Sequence, residues 1–148
     1  MRPVSSLIRL AVCFTLVLVA GPAGAQEFGG RLGASSSPDQ FYFGAHAETA
    51  PVIDRVHFRP NAEIGLGNGA TLIALNFELV YRIPPRRPWR FYVGAGPALN
   101  IVDTDQDTSS EGGFNILLGT QRERHFFEVK IGAMKSPDFK IGVGYVFR

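Results

Sequence analysis

Cysteine is nearly absent from this chain. Cys13 is the only cysteine among the 148 residues, and it lies in an apolar stretch near the N-terminus that we expect to be removed. The remaining chain would hold no thiol, so it can form no disulfide bond and offers no thiolate for catalysis. A small domain stabilised by disulfides and a cysteine-dependent enzyme are both excluded.

An excess of charge of either sign is also missing. The whole chain has 15 Lys and Arg residues against 13 Asp and Glu residues. Loss of Arg2 and Arg9 with the N-terminal stretch leaves 15 − 2 = 13 basic residues, so the balance becomes even. Binding of nucleic acid depends on a basic surface, and no nucleic-acid partner is predicted.

Long hydrophobic runs are missing as well. The apolar run at residues 10–20 has eleven residues, whereas a helix needs about 20 to cross a bilayer. Arg2 and Arg9 precede the run and small residues follow it at 23–25, which is typical of a secretory signal peptide. We predict a signal peptide at residues 1–25, cleaved after Ala25, and one domain at residues 26–148. With no later run long enough for a membrane helix, this domain would have to cross a membrane as a closed barrel.

Period-two alternation is abundant in the remaining chain, and it is typical of strands with one apolar face. Turn residues separate the alternating segments, and Asn68-Gly69 is a strong hairpin signal. No helical periodicity longer than two turns competes. The pattern predicts eight strands, at residues 28–34, 40–48, 55–66, 70–83, 89–102, 113–121, 125–134 and 138–147.

Two prolines fall inside these predicted strands. Proline removes a hydrogen bond from a strand ladder, so Pro60 and Pro97 each indicate either a bulge or the end of a strand. On the second interpretation, the third strand begins only after Pro60.

The two faces of the predicted strands differ in composition. Ile73, Phe77 and Tyr81 share one face of the fourth strand, and Asn76 and Glu78 share the other. The polar faces are rich in small residues rather than in the long polar side chains of a solvated surface, and small residues fit the narrow bore of an eight-stranded barrel. Buried charges must be paired. We therefore predict a salt-bridge network inside the barrel, made by Arg59, Glu63, Glu78, Arg82, Glu128, Lys130 and Lys140.

The C-terminal strand carries the most specific pattern of the chain. Lys140, Gly142, Tyr145 and Phe147 occupy the specified positions of the sequence polar-x-Gly-x-x-aromatic-x-aromatic. This strand resembles the closing strand and membrane-assembly signal of small eight-stranded bacterial outer-membrane β-barrels, of the OmpA-barrel or OmpX-like type. The resemblance implies an all-β fold, an eight-stranded antiparallel up-and-down transmembrane β-barrel, in the cell outer membrane.

The same resemblance implies two partners, the lipids of the outer membrane and the barrel-assembly machinery. With eight strands, both chain ends lie on one side, which we expect to be the periplasmic side. Tyr81 and Trp89 are expected in an aromatic girdle there, with Arg86 and Arg87 against lipid phosphates, as interfacial anchors. The expected role is non-enzymatic: a structural or surface-interaction role in the cell envelope.

Two alternatives remain open. One is a periplasmic, lipocalin-like barrel that binds an apolar ligand inside. The other is an outer-membrane lipid-modifying enzyme that uses His46, Glu48 and His57 for acid–base chemistry. Lipid A deacylases of small barrels carry a His-x-Ser element, which none of the three histidines forms, and no Gly-x-Ser-x-Gly elbow is present. We predict no catalytic residue and no cofactor.

A run of acidic residues is a weak candidate for binding calcium. Asp103, Asp105, Asp107 and Glu111 offer carboxylates at alternate positions, as calcium loops do. Thr108 stands where an EF-hand loop needs glycine, and the glutamate at its end is replaced by phenylalanine. We predict a solvated acidic loop and no metal site.

Overall fold

The structure of the protein is a computed structural model that describes residues 25–147. The predicted signal peptide lies outside the described residues, except for its last residue. None of the described residues belongs to a helix of the length and hydropathy that a membrane crossing requires. The strands are β1 (Ala25–Ser36), β2 (Gln40–Thr49), β3 (Pro51–Ile53), β4 (Val56–Gly67), β5 (Ala70–Arg82), β6 (Arg90–Thr104), β7 (Thr108–Arg122), β8 (His125–Met134) and β9 (Phe139–Phe147).

The strands close into a barrel of eight. They follow the order β2-β1-β9-β8-β7-β6-β5-β4, and pairing of β2 with β4 joins the two ends of that order. The three-residue β3 pairs only with β4, so it lies outside the ring. Every pairing is antiparallel, and chain neighbours are neighbours in the sheet apart from this short hairpin. The predicted eight-stranded antiparallel up-and-down barrel is confirmed.

Two connections differ from the prediction. The segment at 103–112 was expected to be a polar loop, but β6 extends to Thr104 and β7 begins at Thr108, so the loop is only residues 105–107. The expected turn at 49–54 contains β3. In both places the polar residues or the proline correctly indicated exposure to water. A backbone that is exposed to water can still continue a ladder of hydrogen bonds, so the strands extend further than predicted.

Both prolines lie within continuous strands, so neither predicted interpretation was correct. The β4–β5 ladder passes through Pro60 without a change of register. The β2–β4 ladder, in contrast, stops at Asn61 and does not include the adjacent Pro60. The β6–β7 ladder likewise passes through Pro97, whereas the β5–β6 pairing is interrupted opposite it. Each proline therefore lacks its hydrogen bond on one side only, which a barrel strand tolerates because its other ladder is intact.

Turns divide the barrel into two rims. We call one end the loop rim, formed by the connections at 37–39, 68–69, 105–107 and 135–138. We call the other the terminal rim, where both chain ends lie beside the connections at 50–55, 83–89 and 123–124. Asn68 and Gly69 both have positive φ, 57° and 70°, as a two-residue type I′ hairpin requires. The Asn-Gly prediction is confirmed.

Glycines on the inner face make room for large inner side chains. A Cβ atom added to Gly119 would overlap the ring of Tyr92, and one added to Gly144 would overlap Phe126. Gly29 in the same way faces the ring of His46. The small residues of the inner face are therefore where the bore accommodates its aromatic side chains, as the narrow interior of an eight-stranded barrel demands.

Candidate functional site

Among residues 25–147, ten charged side chains lie in the bore of the barrel, and their charges balance, five carboxylates against five cations. Apart from Glu27 and Arg82 near the terminal rim, each of these side chains is at most 4% exposed. A continuous series of ion pairs connects them, and we call the set the lumenal network. Its members are Glu27, Arg31, Glu48, Arg59, Glu63, Glu78, Arg82, Glu128, Lys130 and Lys140.

Glu48 of β2 anchors the network near the terminal rim. Arg59 approaches one carboxylate oxygen, with Nη2 2.7 Å and Nε 2.8 Å from Oε2. Arg82 donates to the other, with Nε 2.8 Å from Oε1, and its Nη2 also lies 3.2 Å from Oε2 of Glu27. Planar guanidinium groups suit such multiple contacts to a carboxylate. Glu48 therefore ties β4 and β5 to β2 from the inside.

Glu128 of β8 connects the next level of the barrel. Arg31 Nη1 lies 2.9 Å from its Oε1, and Arg59 Nη1 lies 3.0 Å from its Oε2. The hydroxyl of Tyr92 donates to the same Oε2 at 2.8 Å, while the Arg59 guanidinium lies 4.5 Å from the centre of the Tyr92 ring. Tyr92 thus stabilises both a carboxylate and a cation.

Two lysines complete the network toward the loop rim. Lys130 Nζ lies 2.6 Å from Oε1 of Glu78 and 3.4 Å from Oε1 of Glu63. Lys140 Nζ donates to the other oxygen of Glu63. These contacts join β8 and β9 to β4 and β5 across the bore.

A series of asparagines continues from Glu78. Asn61 Nδ2 donates to Glu78 Oε2 at 2.9 Å, Asn76 Nδ2 donates to Asn61 Oδ1 at 2.7 Å, and Asn115 Nδ2 donates to Asn76 Oδ1 at 2.8 Å. All three asparagines are at most 2% exposed. Glu78 therefore links the two kinds of polar filling in the bore. One of its oxygens accepts from the ionic group Lys130, and the other accepts from the first of the neutral amides, Asn61.

This arrangement neutralises its own charges. Every carboxylate of the lumenal network accepts from at least one cation, which compensates for much of the cost of removing both from water. A carboxylate held by arginine or lysine is a poor proton acceptor and a poor ligand for a metal. The geometry therefore favours a rigid plug that crosses the bore over a reactive centre.

The seven residues that the sequence predicted for this network all lie in it. The prediction missed Glu27, Arg31 and Glu48. Alternation in β1 could have identified Arg31 as an inward residue. Gly29, Arg31 and Gly33 share the face toward the bore, whereas Leu32 is 61% exposed. Arg31 contacts both Glu63 and Glu128, and Glu48 contacts both Arg59 and Arg82.

The histidines do not form a catalytic pair with Glu48. His46 is buried and its ring packs edge-on against Phe126, with the ring centres 5.4 Å apart. Its Nδ1 has no hydrogen-bond partner among the described residues. His57 Nδ1 lies 2.9 Å from the carbonyl oxygen of Thr49 and 3.4 Å from Glu48, which the two arginines already hold. Neither ring forms a hydrogen bond with a hydroxyl group of the described residues, and the hydroxyl of Thr49 bonds to backbone groups instead.

The candidate calcium residues are not brought together around a common point. Asp103 pairs with Thr108 in the β6–β7 ladder, and the Thr108 hydroxyl donates to Asp103 Oδ1 at 2.6 Å. Glu111 lies further along β7, opposite Asn100. Within residues 25–147, no three side chains of the types that bind metals are close enough to share an ion.

The predicted interfacial anchors lie at the terminal rim. Tyr81 and Trp89 are 41% and 43% exposed, and Arg86 and Arg87 are exposed beside them. Arg122, the last residue of β7, lies over the Trp89 ring, 5.6 Å from its centre.

The four residues of the predicted assembly signal lie on β9. Lys140 and Gly142 point into the bore, while Tyr145 and Phe147 are on the outer face near the terminal rim. Lys140 therefore belongs to two predicted sets, because it also pairs with Glu63 in the lumenal network.

Two solved structures are similar to this chain in fold. The N-terminal β-barrel domain of Pseudomonas aeruginosa OprF matches with a TM-score of 0.58 and 15% identity, over 84% of this chain and 99% of that one. Neisserial surface protein A (NspA) matches with a TM-score of 0.61 and 14% identity, over 81% of this chain and 93% of that one. This chain therefore has the fold of the small outer-membrane β-barrels. No protein-family model and no curated protein sequence matches it.

Proposed function

We propose that this protein is an integral outer-membrane β-barrel with a side-chain-filled lumen and a non-enzymatic, structural or surface-interaction role in the cell envelope. The outer wall of the barrel carries the proposal. Each of the eight barrel strands exposes at least one large apolar side chain, such as Leu32, Leu79 and Ile116, which are 61%, 52% and 57% exposed. A wall of this kind fits lipid, because water-soluble proteins seldom expose such a large contiguous apolar area.

Charge is almost excluded from the same wall. Among the outward positions of the described barrel strands, only Asp103 and Arg122 carry a carboxylate, ammonium or guanidinium group, and both lie at strand ends. Charged groups facing acyl chains near the middle of a bilayer are costly. The eight strands are also long enough, since even the shortest, β9, has 9 residues, and a membrane strand needs about 9–11.

The filled bore supports a structural role over transport. Eight strands leave an interior barely wide enough for side chains, and here the lumenal network and its asparagines occupy it. An aqueous pore needs a wider barrel, so a general porin is not proposed. The apolar side chains face outward, which contradicts the lipocalin-like alternative, because a carrier of an apolar ligand needs them inside.

The proposed orientation has the terminal rim in the periplasm. Exposed aromatic side chains gather at that rim, among them Trp89, Phe91 and Phe147, and aromatic girdles lie at the membrane interface. Delivery would follow cleavage of the predicted signal peptide and use the barrel-assembly machinery, with the outer-membrane lipids as the lasting partners. The geometry does not favour the lipid-modifying alternative, because two arginines hold Glu48, and the His57 nitrogen that faces it also lies 2.9 Å from the carbonyl oxygen of Thr49.

Three measurements on the full chain in a Gram-negative host test this proposal. Separation of membranes after osmotic shock is expected to recover the protein with the outer membrane, and the unboiled protein is expected to migrate faster on a gel than the boiled protein. Recovery of the protein in the soluble periplasmic fraction would contradict the proposal. An intact lipid A pattern by mass spectrometry on overexpression is the result expected of a non-enzymatic barrel, and a modified pattern would overturn that part.

A further inference from the structure

The exposed charges of the barrel are separated between its two rims. Apart from the lumenal network, residues 25–147 have six carboxylates and one lysine at or near the loop rim, and six arginines and two carboxylates at or near the terminal rim. The loop-rim set is Asp39, Asp103, Asp105, Asp107, Glu111, Asp138 and Lys135, and the terminal-rim set is Arg55, Arg86, Arg87, Arg90, Arg122, Arg124, Asp54 and Glu123. The terminal rim is therefore the end that attracts anions.

A cleft of about 300 Å³ opens at the terminal rim between the β3–β4 turn and the start of β6. Its polar lining is three arginines, one histidine and one carboxylate, and Ile83 and Phe91 contribute apolar lining; the polar residues are Arg55, Arg82, Arg90, His57 and Asp54. We call this the terminal-rim cleft. A second cleft of about 380 Å³ at the same rim has one arginine, Arg122, against one carboxylate, Glu123, and that arginine already lies over Trp89. The terminal-rim cleft has three arginines against one carboxylate.

The arginines of the terminal-rim cleft differ in how they are occupied. Arg82 is committed to Glu48 and Glu27. The side chains of Arg55 and Arg90, in contrast, make no ion pair or hydrogen bond with any described residue. Neither guanidinium group is paired with Asp54, the carboxylate of the cleft, so both are available to an anion. Guanidinium groups suit phosphate in particular.

The surroundings of the cleft are apolar on the lipid-facing side. Ile83 and Phe91 are 38% and 44% exposed, and a hydrogen bond between their backbones holds them side by side. The β3 hairpin, which contributes Pro51 and Asp54 to the lining, also exposes Val52 and Ile53 outside the cleft, at 55% and 72%. A ligand that joins a phosphate to hydrocarbon would contact both kinds of surface, which a soluble anion would not.

We infer that the terminal-rim cleft binds the phosphate headgroup of an anionic phospholipid in the adjoining leaflet, with Arg55 and Arg90 on the phosphate and the acyl chains along Ile83 and Phe91. This inference rests on the proposed membrane location and goes beyond it, because it assigns one lipid site to a rim that otherwise attracts anionic lipid only diffusely.

Native mass spectrometry of the refolded full-length mature chain in a neutral detergent tests the site. The probe is phosphatidylglycerol, with phosphatidylcholine as the lipid of equal chain length and no net charge. The unmodified protein is expected to retain one phosphatidylglycerol and no phosphatidylcholine. The double variant R55Q/R90Q is expected to lose about tenfold or more in apparent affinity for phosphatidylglycerol, because each arginine near an anionic lipid adds to the free energy of binding.

The matched control is R122Q/R124Q, which removes the same charge from the other side of the same rim. It is expected to retain the lipid as the unmodified protein does. Equal losses in the two double variants would indicate diffuse attraction and overturn the inference. Displacement of the lipid by inorganic phosphate at equal concentration would also overturn it, because the hydrocarbon would then contribute nothing.

Gel mobility of the unboiled protein separates this inference from the proposed function. A variant that shows the folded, faster band in detergent and fails only in lipid retention leaves the barrel proposal intact. Failure of the unmodified protein to enter phospholipid vesicles would remove the proposed function itself, and the lipid site with it.

Discussion

Lys130 and Glu78 form an ion pair across the interior of the barrel. Nζ of Lys130 lies 2.6 Å from Oε1 of Glu78, although β7 and β6 separate their strands in the sheet. Both side chains are at most 2% exposed. Contacts of this kind hold distant parts of the wall at a set spacing, which backbone ladders between neighbours do not do alone.

Removal of Lys130 is expected to destabilise the barrel strongly. Lys130→Met leaves Glu78 without its cation in a buried site, and loss of one partner of a buried ion pair costs about 3–5 kcal/mol. Urea unfolding in phospholipid vesicles, followed by the fluorescence of Trp89, the single tryptophan, measures the free energy. Lys135→Met is the control, because Lys135 is exposed and its side chain has no ion pair within the described residues. Similar values for the two variants would contradict a structural role for the lumenal network.

A charge on the outer wall is expected to act according to its depth. Ile116 lies in the middle of β7, and Ile116→Arg should cost about 2–4 kcal/mol if that position faces acyl chains, whereas Phe41→Arg beside the loop rim should cost about 0–1 kcal/mol. The same unfolding experiment gives both numbers. Because both side chains are more than half exposed, a barrel in water would tolerate either substitution, and equal small effects would argue against the membrane.

An extra methyl group at Gly96 is expected to disturb the wall. A Cβ atom there would overlap the carbonyl oxygen of Phe77, which belongs to the backbone and cannot rotate away. Overpacking of this kind costs about 1–3 kcal/mol. Gly112→Ala is the matched control, since an added Cβ meets nothing within 4 Å. Thermal shifts of the unboiled gel band compare the two variants, and equal shifts would show that crowding at Gly96 is relieved by movement.

The last aromatic of β9 is expected to matter for assembly more than for stability. Phe147→Ala should lower the fraction of protein that reaches the folded, heat-modifiable form in cells, because Phe147 fills the final aromatic position of the closing-strand signal. Phe139→Ala, at the opposite end of the same strand and also exposed, is expected to assemble normally. Pulse labelling with membrane fractionation measures the folded fraction. Equal assembly of both variants would leave the assembly signal without support.

The sequence predicted members of the lumenal network in the strands whose outward face was recognisable from its apolar residues. Glu63, Glu78 and Lys130 lie in strands whose outward positions are mostly large and apolar, so parity assigned the three residues to the other face. Arg31 was missed although β1 alternates too, because its outward positions include Gly30 and Ala34, which do not identify the lipid-facing side.

The sequence by itself determined the strand number, the division into two faces and the hairpin at Asn68-Gly69, because these depend on period-two alternation and local backbone preference. Only the tertiary structure decided which cation contacts which carboxylate, since Arg31 and Glu128 lie 97 positions apart in the chain and meet through the closure of the ring. It also decided that β2 pairs with β4 past the β3 hairpin, and that Arg55 and Arg90 share one cleft. Such pairings follow from the register around the whole barrel, which no segment specifies on its own.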